Sequence, residues 1–245
     1  MIKIIAVSYL NTLPFVYGMQ HFRPIEKFDL QLEIPSVCAA KFLNNEVDIA
    51  LVPVAALLKN KNYSIITDYC IGAKGKVHTV CLFSHVPLIN ITSVLLDFHS
   101  RTSVNLVKIL ARDYWKIQPE WVEMKPDRNI EMSVYETIVA IGDKVFELEK
   151  KYEYCYDLAE EWIKFSGLPF VFACWVSNKN ISSEFVQQFN QALKFGIENI
   201  PLVIKDYRQS HSTEINLEEY YQKNISFDFD EQKKLGLHRF LELLH

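Results

Sequence analysis

Ile4-Ile5-Ala6-Val7-Ser8-Tyr9-Leu10-Asn11-Thr12-Leu13-Pro14-Phe15, close to the start of the chain, changes character halfway along. A β-branched apolar run gives way to Ser8, Asn11 and Thr12, then resumes with the apolar and aromatic spacing of a helix. The polar residues therefore fall on a strand-to-helix turn. In a parallel α/β sheet such turns open onto the ligand crevice. Asn11 there offers both an amide donor and a carbonyl acceptor. The same residues support a plainer reading, in which Asn11 or Thr12 caps the helix that follows.

Outward from this turn the alternation continues. Residues 14–21 read as a helix and 28–34 as a strand. Pro35-Ser36 then introduces an amphipathic helix over 37–43 with Ser36 as its N-cap. Asp48-Ile49-Ala50-Leu51-Val52-Pro53 reads as a buried strand stopped by proline, completing the rhythm of a parallel sheet. From residue 63 shorter strand-like runs appear at 65–66 and 77–83, separated by Gly72 and Gly75, and a crossing into a second lobe is placed near 84–87.

The second unit has a strand, Val94-Leu95-Leu96-Asp97, a polar loop, Phe98-His99-Ser100-Arg101-Thr102-Ser103, and a helical stripe over 104–115. The loop delivers three hydroxyls and one guanidinium to a helix N-terminus. Unpaired amides and the helix dipole favour an anion there. Glycine-rich phosphate loops are absent, so a carboxylate is favoured over a nucleotide. One of these hydroxyls is accounted for by ordinary capping. Further on, residues 137–141 form a strand closed by Gly142-Asp143-Lys144. Asp143 reads either as a general base or oriented acceptor, or as the cap of a short helix. Asp157 caps a helix over 158–165, the apolar run 168–176 carries the chain back into the first lobe, and Ser182-Ser183 opens the first of the closing helices.

Composition narrows the class. The 245 residues are 49% hydrophobic and 23% charged, with a net charge of −4 and a pI near 6.0. That balance suits an ordinary folded protein and provides no global attraction for nucleic acid or an anionic membrane. No apolar run approaches the roughly 20 residues of a membrane span. The opening run lacks a cleavage pattern and reads as a buried strand. Cys38, Cys70, Cys81, Cys155 and Cys174 are widely spaced among apolar residues and read as reduced core thiols of a cytoplasmic protein. His78, His85 and His99 lack partners at metal-ligand spacing, and no nucleophile elbow occurs.

With these pieces in order, the resemblance becomes specific. Ser8-Tyr9-Leu10-Asn11-Thr12-Leu13-Pro14 resembles the S-Y-L-N-x-x-P signature of the MqnA family, the chorismate dehydratases of the futalosine route to menaquinone. Asn45-Glu46-Val47-Asp48-Ile49-Ala50, Ser100-Arg101-Thr102-Ser103-Val104, Ile141-Gly142-Asp143, Tyr156-Asp157-Leu158-Ala159-Glu160-Glu161-Trp162 and Gly167-Leu168-Pro169-Phe170 follow in the same order. The resemblance implies a type II periplasmic-binding-protein-like α/β fold, with lobe I formed by 1–86 plus 174–245 and lobe II by 87–173.

It also implies loss of water from chorismate to give 3-[(1-carboxyvinyl)oxy]benzoate, without metal or organic cofactor. Asn11 is the expected catalytic residue and Asp143 a candidate base, with the substrate's own enolpyruvyl carboxylate as the alternative. Ser8, Thr79, Ser100, Arg101, Thr102 and Ser103 are the expected substrate contacts, with no nucleic-acid or membrane partner. One departure stands out: the family has serines after D-I-A, where this chain has Leu51-Val52-Pro53-Val54. A non-catalytic binding protein or sensor for a small carboxylate is the competing reading. The related dihydroxynaphthoate-forming enzyme of the same route is a further one.

Overall fold

The strand that opens the chain, β1 (Ile2–Val7), buries Ile4, Ile5, Ala6 and Val7 in succession, as a strand covered on both faces must. The structure, a computed structural model, describes residues 1–23, 25–59, 62–97, 101–124, 134–213 and 215–244. From β1 the chain passes through α1 (Leu13–His21), β2 (Phe28–Glu33), α2 (Pro35–Leu43), β3 (Ile49–Pro53) and β4 (Ser64–Ala73). A second series comprises β5 (Val80–Ser84), β6 (Ser93–Leu96), α3 (Arg101–Ile109), β7 (Glu120–Glu123), β8 (Thr137–Ile141), α4 (Val145–Leu148), β9 (Tyr154–Asp157) and α5 (Leu158–Ser166). The chain returns through β10 (Phe170–Ser177) and ends with α6 (Ser183–Glu198), α7 (Ile200–Ser210), α8 (Leu217–Glu219), β11 (Ser226–Asp228) and α9 (Glu231–Leu243).

Two mixed sheets result. The first has the order β11-β4-β10-β3-β1-β2 and the second β7-β6-β8-β5-β9. In the first, β1 lies between β2 and β3 and is parallel to both. In the second, β6 is parallel to β7 and β8. The expected α/β class and two-lobed plan are present, but strand membership draws the crossings earlier. The strand β5 pairs with β8 and β9, whereas β10 pairs with β3 and β4. The chain thus changes sheets between β4 and β5 and returns between α5 and β10, rather than near 84–87 and at 173. An apolar strand pattern reports burial and not the identity of the neighbouring strand, so the sequence could not assign β5 to its sheet.

Local signals also shift. Helix α2 starts at Pro35 with Ile34 in the capping position, so Ser36 lies inside the first turn. Proline is pre-shaped for that place and lacks the amide proton that would go unpaired there. Asp143 does not cap α4, whose capping position is Lys144. Asp157 and Ser182 do cap α5 and α6 as the sequence implied. Among the described residues no helix is long and apolar enough to cross a membrane. No group of three or more His, Cys, Asp or Glu among them is placed to hold a metal. Cys38, Cys70, Cys81 and Cys174 are buried free thiols, and Cys155 is exposed.

Candidate functional site

The carboxyl ends of the parallel strands in both sheets face one cavity, the position where open α/β sheets hold their ligands. The free space between its walls, open solvent included, is about 520 Å³. Tyr9 and Asn11 enter it from the turn after β1, Pro35 from the turn after β2, and Pro53 from the end of β3. Thr79 comes from the crossing before β5, Ser103 from the first turn of α3, and Gly142 from the end of β8. Ile71, Phe172 and Ala173 add apolar wall. Apolar walls carrying a few placed polar groups are the usual make-up of a small-molecule site.

Contacts across the lobes hold this arrangement. The buried Thr102 Oγ1 accepts from Ala55 N at 3.2 Å. The Tyr9 ring lies over Gly142, where an added Cβ would stand 3.6 Å from the ring. Gly142 has φ +76°, a conformation open to glycine at no steric cost. The Tyr221 hydroxyl donates to Leu10 O at 2.6 Å, tying the opening turn to the C-terminal segment.

The residues singled out from sequence divide sharply. Asn11, Thr79 and Ser103 line the shared cavity. Asn11 Oδ1 accepts from the Thr12 hydroxyl at 3.1 Å, and neither residue caps α1 through its side chain. This bond orients the amide and leaves the two Nδ2 hydrogens as its donor end. The buried Thr79 hydroxyl lies 3.5 Å from the Tyr220 hydroxyl. Ser8 is exposed and does not line the cavity; its amide donates to Glu33 O at 3.0 Å.

Of the expected four-residue clamp, Ser103 alone among the described residues lines the cavity. Thr102 turns to Ala55, and the exposed Arg101 lines a separate crevice with Asp97, Asn105 and Glu123. Ser100 and His99 lie outside the described residues. Successive residues of a helix point about 100° apart, so three neighbours on a first turn cannot all face one ligand.

Asp143 likewise lies off the cavity, in a neighbouring crevice with Leu10, Phe146 and Tyr207. Its surface stays open to water, yet desolvation within that crevice pushes its carboxyl up to about 6. Tyr9, which the sequence pattern does not single out, lines the cavity together with Asn11. Burial raises its phenol well above the ordinary value, with the charges of Asp97, Asp143 and Cys38 adding to the effect. Asp97 is fully buried at the end of β6 and ion-paired with Lys144. The available signal was position: Tyr9 and Asn11 flank one residue within the same polar turn.

Two α/β lobes presenting their strand ends to one shared cavity define the periplasmic-binding-protein-like class. A solved protein from Archaeoglobus fulgidus aligns over 99% of this chain and 96% of its own length, with a TM-score of 0.76 and 17% identity. A Candida albicans protein, described as having the generic periplasmic binding protein structural fold, aligns over 100% and 90% with a TM-score of 0.68 and 11% identity. These similarities concern the fold. Residues 2–245 match the menaquinone biosynthesis family, and the chain belongs to it. It is also 25% identical over 256 residues to a chorismate dehydratase from Thermus thermophilus, covering 96% of this chain and 92% of that relative.

Proposed function

We propose that the protein is a chorismate dehydratase, eliminating water from chorismate to give 3-[(1-carboxyvinyl)oxy]benzoate in the futalosine route to menaquinone. The observation that carries this reading is the shared cavity reached by Asn11 from one lobe and Ser103 from the other, with Thr79 also in its wall. The similarity to a relative named chorismate dehydratase supports the choice of substrate.

Chorismate suits such a site because the hydrogen on ring carbon 3 is vinylogous to the ring carboxylate. As that proton leaves, charge spreads into the carboxylate, and donors already aimed there stabilise the transition state. Ser103 and the amide end of α3 supply those donors in this reading, in place of Arg101. Asn11 presents Nδ2 to the departing 4-hydroxyl or the enolpyruvyl carboxylate. Expulsion of the hydroxyl completes an aromatic ring, which supplies much of the driving force.

Among the described residues that line the cavity there is no carboxylate and no imidazole. The base we favour is therefore the substrate's own enolpyruvyl carboxylate, with Asp143 left in the next crevice. Purified protein incubated with chorismate should produce the aromatic proton signals of the substituted benzoate. The Asn11→Ala variant should remain folded and lose about 10²–10³-fold in kcat, the cost of one transition-state donor. Chorismate bound but unconverted by the wild-type protein would instead identify a non-catalytic carboxylate receptor.

A further inference from the structure

Eliminating water needs a proton for the departing oxygen as well as a base for carbon 3. The cavity wall answers the first need in one place. Among the described lining residues Tyr9 is the only aromatic hydroxyl, and no Asp, Glu, His, Lys, Arg or Cys lines the cavity with it. Its ring is held against Gly142 of the opposite lobe, and its neighbour in the same turn is Asn11.

We propose that Tyr9 is the catalytic acid of the proposed dehydration, donating its phenolic proton to the 4-oxygen as the C4–O bond breaks. This deepens the dehydratase reading and rests on it. The base takes the proton from carbon 3, the C–H electron pair becomes the new ring double bond, and the C4–O pair leaves on oxygen. That oxygen takes the Tyr9 proton and departs as water. The proton removed from carbon 3 then restores the phenol, so the protein ends as it began.

The surroundings of Tyr9 keep its proton in place until the leaving oxygen takes it. Burial and the nearby carboxylates Asp97 and Asp143 disfavour the phenolate, so the phenol keeps its proton across the working pH range. A phenol is intrinsically a stronger acid than water because its ring spreads the charge left behind, so a proton from Tyr9 neutralises the leaving hydroxide as the C4–O bond breaks. Thr79 and Ser103 also carry hydroxyls in the cavity, but an aliphatic hydroxyl has no ring to spread the charge left behind.

The test compares wild type with Tyr9→Phe, which keeps the ring on Gly142, using chorismate and an analogue bearing fluoride in place of the 4-hydroxyl. With chorismate, kcat should fall about 10²–10⁴-fold, the usual contribution of a general acid, while KM changes little. With the fluoride analogue, whose leaving group needs no full proton, the two proteins should differ by less than tenfold. Equal chorismate kcat in an active wild type and the variant overturns the role of Tyr9. A variant that loses both substrates alike makes Tyr9 a packing residue and also overturns it. A wild type inert toward chorismate removes the dehydratase reading itself, and is distinguished from the other outcomes by that first measurement.

Discussion

At Asp143, titration and position point in different directions. Desolvation lifts its carboxyl to about 6, above the value near 3.9 of an unfolded chain. A value near neutrality is what a general base needs, but the side chain lines the crevice next to the cavity. The raised value means that the folded state holds the proton more tightly than the unfolded state does. Ionisation therefore lowers stability as pH rises from about 3.9 to 6, the loss is complete above 6, and it is absent below 3.9. Asp143→Asn should be more stable than wild type at pH 7, by less than about 1 kcal/mol because the group is open to screening water. Its advantage should vanish by pH 3.5, and chorismate turnover should stay within a few-fold of wild type. Thermal unfolding at the two pH values and one rate measurement check this; loss of turnover would restore Asp143 as the base. Asn11 was legible because the binary pattern reverses around it. Arg101 was not, because the direction of a side chain on a first helical turn depends on the residue at which the helix begins.

Among the elements, the backbone of the segment that crosses into the second lobe is gripped by the carboxylate of Asp157. Asp157, 6% exposed, accepts from Ala159 N at 3.0 Å and Glu160 N at 3.1 Å, which caps α5. It also accepts from Val77 N at 3.2 Å and His78 N at 2.7 Å, immediately before Thr79 in the cavity wall. The cap could be read from sequence, since an aspartate before an apolar helical stripe has few other roles. Its reach to Val77 and His78 could not, because those partners are distant in the chain and meet only when β5 and β9 pair. Asp157→Ala removes a cap and leaves further amides unpaired, and should cost about 2–4 kcal/mol in urea unfolding. In protein that still folds, KM for chorismate should rise more than kcat falls, with Asp157→Asn, which keeps one acceptor oxygen, falling between. A variant as stable as wild type would show that the crossing is held by something else.

On the scale of the molecule, the two lobes share a continuous buried cluster, which joins Ile4 and Phe15 of the first with Leu82, Val94 and Leu106 of the second. The Thr102–Ala55 hydrogen bond and the packing of Tyr9 on Gly142 close the same interface around the cavity. Two lobes were legible from the repeated strand-to-helix turns, and their division was misplaced because sheet membership is a long-range property. In the proposed reaction both lobes act on one small diacid. A crystal structure with 3-[(1-carboxyvinyl)oxy]benzoate bound tests it most directly. Ligand density should lie in hydrogen-bonding contact with Asn11 and Ser103 together, and within reach of the Tyr9 hydroxyl. Density confined to the outer crevice beside Arg101, with the shared cavity empty, would contradict it.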